Sequence, residues 1–375
     1  MVFVSLSTRV EANVEAFNAV ETVGNLTKHR RAPMIIPTGN GYRLVYVPAV
    51  SGESIANAYQ RALVDLSNII YKKLGKKPPL TEWDMRYEFS KYMDDNHLTQ
   101  TLNNLVAKFS EERKRELAKV IETKHLFEKT AISESIVADI GGFLYTGERL
   151  PVKRTSRIYT GYMLPTYDSI DITAIEAQLH ARHMPSETTG GRETQASSEA
   201  ERRAAQMIYY VEVASALYGL SISIDLDGIG RTSLVKIEDA VDKNERILRV
   251  KISLTALETM FLGTGFGAKL ARFTPIKRIV SAVAAVSHPL NFVVSPAQVK
   301  EYIDDTLERS LSYKKISTSL GIDPDLKIIV YGETVKKRED FMKEKIEVIE
   351  TKTPEEFFYR LTEKSLEAYE KIYGK

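Results

Sequence analysis

The chain has 375 residues, of which 43% are hydrophobic and 27% are charged, and its formal net charge is only +2. This composition is typical of a globular protein that is long enough to bury a sizeable core. The chain contains no cysteine, which excludes disulfide bonds, thiolate nucleophiles and cysteine-ligated zinc and is consistent with a cytoplasmic location.

The first part of the chain predicts a strand, a basic loop, a hairpin and a helix. Apolar and polar residues alternate over residues 2–14, which is typical of a half-buried strand. Residues 34–47 predict a β-hairpin with its turn at residues 38–41, where two glycines occur. After Ser51, a suitable N-cap, apolar residues recur at helical spacing to residue 70.

The segment from Thr22 to Gly52 contains no carboxylate. Its four cations are Lys28, Arg30, Arg31 and Arg43. The helix that begins after this segment has free backbone N–H groups at its N terminus, and such groups attract anions. The pattern predicts a phosphate-binding surface, although solvated basic loops are the simpler alternative.

The middle of the chain alternates between insertions and β-prone segments. Residues 74–149 predict a mainly helical insertion, and residues 154–164 predict a strand bounded by prolines. Residues 185–199 have almost nothing to bury, which predicts a mobile loop. A strand at 207–227 and a helix at 254–272 follow.

A last apolar strand at residues 277–286 completes the order βαββαβ, which is typical of a ferredoxin-like or RRM-like domain with an α+β fold. The uncharged run 279–299 is long enough to raise the question of a membrane span, but two prolines interrupt it, so none is expected. Ser295 is predicted to begin a helix with a capping box. Strands at 327–331 and 346–349 and a helix opened by Thr353 end the chain.

Two patterns that could bind small ligands are weak. Gly263, Gly265 and Ala268 have the spacing of a dinucleotide fingerprint, but a helical segment rather than a strand precedes them. His180 and His183 could share a metal ion, yet no third ligand has suitable spacing. We therefore expect neither a cofactor nor a metal.

Asp225 and Asp227 lie on one face of a predicted strand. Paired carboxylates of this kind hold two metal ions in nucleases. A turn at the end of the strand, leading to Gly228 and Gly230, is the alternative. This pair leaves a metal-dependent ribonuclease as the alternative function.

Several unrelated short motifs occur together in this chain. They are residues 20–30, residues 50–54, residues 154–157 with 161–165, residues 179–183 and residues 265–269. In this order they resemble the archaeal CRISPR Cascade backbone subunit of subtype I-A, the DevR or Cas-seven-type family of the RAMP superfamily. The resemblance covers most of residues 1–300.

The resemblance implies a non-catalytic subunit that polymerises with copies of itself along crRNA, joins other Cascade subunits and presents the guide to target DNA. It implies one composite domain over residues 1–375, shaped like a right hand. Residues 1–73, 150–164 and 207–290 would form an RRM-like palm, residues 74–149 a mainly helical finger, residues 165–206 a mobile thumb-like loop, and residues 291–375 a C-terminal α/β extension.

The residues predicted to bind RNA combine the basic segment with the family motifs. They are Asn25, Lys28, His29, Arg30, Arg31, Ser51, Gly52, Ser54, Arg154, Arg157, His180, Arg182, Lys269 and Arg272. A guide-binding subunit must accept any spacer sequence. Phosphate contacts and sequence-independent stacking are therefore the chemistry that we expect at these positions.

Overall fold

The computed structural model describes residues 1–110, 117–147, 150–181, 208–336 and 338–374. In chain order the strands are β1 (Phe3–Glu15), β2 (Ala19–Val23), β3 (Leu26–His29), β4 (Arg31–Thr38), β5 (Gly41–Pro48), β6 (Phe143–Tyr145), β7 (Val152–Arg154), β8 (Ile158–Thr160), β9 (Leu164–Pro165), β10 (Ala174–Ala181), β11 (Ile208–Asp225), β12 (Ile276–His288), β13 (Asp325–Tyr331) and β14 (Glu347–Thr351). The α-helices are α1 (Gly52–Lys73), α2 (Glu82–Met85), α3 (Gln100–Ser110), α4 (Leu117–Glu134), α5 (Ile136–Gly141), α6 (Lys243–Leu262), α7 (Tyr302–Ser319), α8 (Arg338–Lys343) and α9 (Pro354–Tyr373). The fold is therefore mixed α+β, as the sequence predicts.

One large sheet organises the described part of the chain, with β1 at its centre. β1 pairs antiparallel with β11 on one side and with β12 on the other. β12 continues to β13 and then β14. On the far side of β11, the short strands β8 and β9 and the longer β10 pair antiparallel, and β3 pairs parallel.

The two faces of β1 are both covered. Its apolar face, which includes Val4 and Leu6, belongs to a core shared with α1 and α6. Its polar face is covered by the segment after β12, because Ser5 Oγ accepts a hydrogen bond from Val294 N (3.2 Å) and Arg9 Nε donates to Ala297 O (3.0 Å). The strand is thus buried on both faces, although its alternation predicts a half-buried strand.

Several predicted elements are confirmed. The hairpin is β4–β5, the first helix is α1 with Ser51 as its N-cap, and the last helix is α9 with Thr353 as its N-cap. The described residues of the insertion at 74–149 are mainly helical. No helix in the described ranges is long and apolar enough to cross a membrane.

Three predicted boundaries are wrong. The strand expected at 154–164 is divided into β7, β8 and β9. Between β7 and β8, Ser156 Oγ bonds to the backbone N–H and C=O of Ile158. The helix expected at 254–272 begins at Lys243 and ends at Leu262. The helix expected at Ser295 begins only at Tyr302, and Ser295 Oγ instead donates a short hydrogen bond to Asp305.

Candidate nucleic-acid interface

A cleft of about 710 Å³ lies between the N terminus of α1 and the loop that follows α6. It is lined by Arg30 from the basic segment, by Ser51 and Ser54 from the helix start, and by the glycine-rich residues 263–268. These three segments are distant in sequence, and all of them are predicted RNA-binding motifs. The cleft therefore brings a cation, a helix N terminus and accessible backbone together on one surface.

Asn18 fixes the basic segment to the helix start. Its backbone carbonyl accepts a hydrogen bond from Arg30 N (3.0 Å), and its side-chain oxygen accepts one from Ser51 N (2.9 Å). Ser51 Oγ in turn accepts a hydrogen bond from Ser54 N (3.3 Å), which caps the helix. Arg30 and the N terminus of α1 are therefore held at a fixed separation.

Two glycines allow close backbone approaches at the cleft. A Cβ atom on Gly52 would lie 2.8 Å from the carbonyl oxygen of Thr160. Gly267 has φ of +117°, and a Cβ atom there would lie 2.6 Å from Cα of Phe17. The next residue, Ala268, donates its N–H to Phe17 O (2.8 Å), so the glycine-rich loop is fastened to the end of β1.

The side chains of the basic segment differ in exposure and in ion pairing. Lys28 on β3 is half-buried and forms no ion pair with any described residue, and Asn25 is exposed in the turn between β2 and β3. Arg30 is half-buried, and its Nε makes no hydrogen bond in the described part of the chain. Arg31 is 51% exposed and pairs with Glu212 at 3.2 Å, so part of its charge is already neutralised.

His29 is wrong as a predicted RNA ligand, because its side chain is fully buried. Its Nε2 contacts the carboxylate of Glu15 at 2.9 Å, and its Nδ1 contacts Arg30 O at 2.9 Å. Burial alone would lower the pKa of His29, but the hydrogen bond and charge of Glu15 raise it overall. The side chain of His29 therefore supports β3, which carries Lys28, and the adjoining Arg30, and it is not exposed to a ligand.

Arg154 is also wrong as an RNA ligand. Its side chain is fully buried and pairs with Asp139 at 2.5 Å and with Glu128 at 3.3 Å, both of which are equally buried. Burial lowers the pKa of this guanidinium, and the two carboxylates oppose that effect. Arg157 is only 11% exposed and pairs with Asp225 at 3.1 Å. This family motif therefore joins the helical insertion to the sheet.

An aromatic cluster forms where β10 meets β11. His180 on β10 lies opposite Tyr209 on β11, and their rings stack with centroids 5.3 Å apart and planes inclined by 26°. The ring of Phe273 meets His180 edge-on at 5.2 Å. Arg272 donates to the hydroxyl of Tyr209 (2.8 Å), and the pKa of neighbouring Lys269 is lowered by partial burial and by the charge of Arg272.

The cluster and the cleft are continuous through one loop. Residues 263–268 line the cleft, and Lys269, Arg272 and Phe273 follow directly in the chain. The structure thus joins His180 and the glycine-rich motif, which are separate in sequence. Arg182, His183 and the loop at 185–199 lie outside the described residues.

Sequence reasoning missed four residues of this surface. They are Tyr209, Phe273, Arg61 and Tyr87. Arg61 and Tyr87 line the cleft, and the guanidinium of Arg61 lies 5.0 Å from the ring centre of Tyr87. Arg61 follows Ser54 by two helical turns, which is a recognisable signal. The carboxylates Glu53 and Asp65 also line the cleft, so its charge is mixed.

The carboxylate pair suggested for a nuclease is engaged within the chain. Asp225 pairs with Arg157, and Asp227 pairs with the N-terminal amine of Met1 (3.3 Å) and accepts a hydrogen bond from Val2 N (2.8 Å). Within the described ranges, no group of three or more His, Asp or Glu residues could hold a metal ion. The geometry of the pair matches the turn alternative.

The cleft and the aromatic cluster, which one loop connects, supply an α+β protein with cations, the N terminus of a helix and stacked rings. A family model described as "CRISPR-associated negative auto-regulator DevR/Csa2" matches residues 6–307. The chain belongs to this DevR/Csa2 family, and the resemblance based on its short motifs is confirmed.

Relatives in two archaea are similar over most of their length. The chain is 35% identical over 82% of its length to "CRISPR-associated aCascade subunit Cas7/Csa2 2" of Saccharolobus solfataricus, covering 86% of that protein. It is 28% identical over 92% of its length to "CRISPR-associated protein Cas7/Cst2/DevR" of Methanocaldococcus jannaschii, covering 99% of it. A chain of the solved "CRISPR RNA-guided surveillance complex, pre-nicking" is 11% identical with a TM-score of 0.46, covering 97% of this chain and 99% of that one.

Proposed function

We propose that this protein is a cytoplasmic, non-catalytic backbone subunit of a type I-A Cascade complex. It binds crRNA, polymerises with copies of itself along the guide, associates with other Cascade subunits and presents the guide for pairing with target DNA. The relative with 35% identity is itself named as an aCascade subunit, and this name supports the assignment.

The continuity of the cleft with the aromatic cluster carries the proposal. The cleft offers Arg30 and the N terminus of α1 to phosphates, and the cluster offers aromatic surface beside Lys269 and Arg272. Neither set of groups distinguishes one base from another, since phosphates and π-faces are common to all nucleotides. A surface of this kind suits a subunit that must hold guides of any sequence.

The strand order supports a modified ferredoxin-like palm. The four strands β12, β1, β11 and β8 are adjacent in that order, and each pairs antiparallel with the next. When the core strands β1, β8, β11 and β12 are numbered 1 to 4 in chain order, their order across the sheet is 4-1-3-2. This is the strand order of a βαββαβ domain. In this proposal residues 74–149 form the finger, and residues 165–206, which include β10, form the thumb.

Binding of unrelated RNA sequences tests the assignment. We expect labelled RNAs of equal length and different sequence to bind with affinities within about threefold of one another, and to weaken together as salt increases. Strong discrimination between the sequences would contradict backbone recognition. Electron micrographs of the protein with crRNA should show regular filaments, and discrete unassembled particles at saturation would contradict polymerisation.

The absence of catalysis needs its own measurement. We expect labelled RNA to remain intact with the protein in Mg²⁺ or Mn²⁺, because both Asp225 and Asp227 are paired with cations of the chain. Cleavage that Asp225→Asn abolishes would establish the ribonuclease alternative instead.

A further inference from the structure

The hairpin β4–β5 has an outer face that nothing in the described structure covers. Its inner face packs through Met34, Ile36 and Val47 against the body of the protein. The outer face consists of three cross-strand pairs of exposed apolar or aromatic residues. The pairs are Pro33 with Tyr46, Ile35 with Leu44, and Pro37 with Tyr42.

The exposure of this face is high for such large side chains. Tyr42 is 80% exposed, Tyr46 70%, Ile35 61% and Leu44 57%. Taking about 200 Å² for a fully exposed large side chain, these four leave roughly 500 Å² of contiguous surface uncovered. Exposed apolar patches of this size on a single chain are commonly interaction sites.

The hairpin projects from the proposed RNA cleft. Arg30, immediately before β4, and Ser51, shortly after β5, both line the cleft, and Ala49 N bonds to Arg30 O (3.0 Å) at the base of the hairpin. Anything that docks on the outer face is therefore placed beside the cleft.

We propose that the outer face of the β4–β5 hairpin is the contact through which one copy of this protein receives the next copy along RNA. This inference rests on the proposed polymerisation. These six residues carry no charge, which favours a protein partner over a phosphate backbone. The charged Arg31 shares their face only at the base of the hairpin, where it pairs with Glu212.

The size of the patch explains why RNA is needed. A stable interface buries about 800 Å² on each partner, and the outer face falls short of that. Copies that RNA already holds side by side experience a high effective concentration, so a weak contact becomes sufficient. The free protein is therefore monomeric, and binding becomes cooperative only on RNA that is long enough for several copies.

RNAs of increasing length, labelled with a fluorophore, test this contact. The double variant Tyr42→Thr with Leu44→Thr removes about half of the patch and keeps residues that favour strands. The matched control is Ile316→Gln with Leu320→Gln, because these side chains are 63% and 70% exposed at the end of α7. Unfolding midpoints equal to that of the parent establish that each variant is folded, and the single variant Tyr42→Thr replaces the double variant if its midpoint falls.

We expect the parent and the control to bind long RNA at least about tenfold more tightly per copy than short RNA. The hairpin variant should bind short RNA as the parent does and lose most of that tenfold gain. If the hairpin variant gains as much affinity from RNA length as the parent does, the proposed contact between copies is wrong. It is also wrong if the hairpin variant binds short RNA more weakly than the parent, since the outer face would then contact RNA itself. If the parent binds long RNA no more tightly than short RNA, the proposed polymerisation is wrong. If the parent binds no RNA at all, the proposed function is wrong.

Discussion

The imidazole of His180 is stacked on the ring of Tyr209, and 5.3 Å separates the ring centres of these two half-buried side chains. The histidine motif therefore does not act alone, because removing either ring exposes the other and loosens Phe273 as well. The hydroxyl of Tyr209 also orients Arg272 through a hydrogen bond of 2.8 Å. In the proposed function, the unit that contacts RNA is this cluster and not a single histidine.

We expect His180→Phe to retain most of the affinity for RNA and His180→Ala to lose about tenfold, since a stacked base or ring is worth roughly 1–3 kcal/mol. Tyr209→Ala should lose as much as His180→Ala, and Tyr209→Phe should lose less because it keeps the stack. Anisotropy titrations with short RNA measure these affinities. Parental binding by both alanine variants would remove the cluster from the interface.

The basic segment should contribute to binding according to the exposure and pairing of each cation. Lys28→Ala and Arg30→Ala should each reduce the slope of log affinity against log salt by about 0.7, as expected for one lost phosphate contact to a single strand. Arg31→Ala should reduce it less, because Arg31 is paired with Glu212 at 3.2 Å. Titrations at four or more salt concentrations give the slopes, and identical slopes for all three variants and the parent would contradict this arrangement.

Arg154 should affect stability and leave RNA binding unchanged. Arg154→Ala leaves Asp139 and Glu128 buried without their cation, and breaking a buried ion pair in this way typically costs about 3–5 kcal/mol. Urea denaturation measures the loss, and the folded fraction should bind RNA with the parental salt slope. Lys28→Ala serves as the control with the opposite expected result. Its salt slope of RNA binding should fall, while its free energy of unfolding should stay close to that of the parent. A reduced slope in Arg154→Ala would return this residue to the interface.

Local patterns predicted the elements well where they are regular. Each regular pattern indicates one kind of element. The alternation in β1 indicates a strand, the glycine turn indicates a hairpin, and the spacing of apolar residues in α1 indicates a helix. The βαββαβ order of a ferredoxin-like core that these elements indicate stays a prediction. The start of α6 was missed, although Asp242 and Glu245 have the spacing of a helix start and Asp242 caps the helix.

The site was harder to predict because exposure depends on partners that are distant in the sequence. The side chains of Arg154 and Arg157 have the same chemistry, so the sequence does not show which of them is buried. The carboxylates that pair with the buried Arg154 come from α4 and α5. His29 likewise meets Glu15, whose position at the end of β1 gives no sign of the contact. Tyr209 was overlooked because an aromatic residue at the start of a strand usually belongs to the core.

The buried pair of His29 and Glu15 predicts a pH dependence of stability. Glu15 also accepts a hydrogen bond from the hydroxyl of Tyr218 (2.5 Å), and its backbone neighbour Phe17 donates to it as well (2.6 Å). Although burial opposes the charged imidazole, the contacts with Glu15 raise the pKa of His29 above its usual value. The charged pair therefore stabilises the fold fully below about pH 6.5, the value of an unfolded histidine, and this contribution is lost as pH rises through the higher folded-state pKa.

Comparison of the parent with His29→Gln measures this contribution. Glutamine can donate a hydrogen bond to Glu15 but cannot gain a charge, so the variant lacks the titration and retains similar volume. We expect the free energy of unfolding of the parent to be higher than that of the variant, and the difference to be largest below pH 6.5. Each unit by which the pKa of His29 is raised should contribute about 1.4 kcal/mol to this difference. The difference should shrink as pH increases towards 9. Urea denaturation of both proteins at several pH values gives these energies, and a difference that stays constant or grows with pH would show that His29 is neutral in the folded protein.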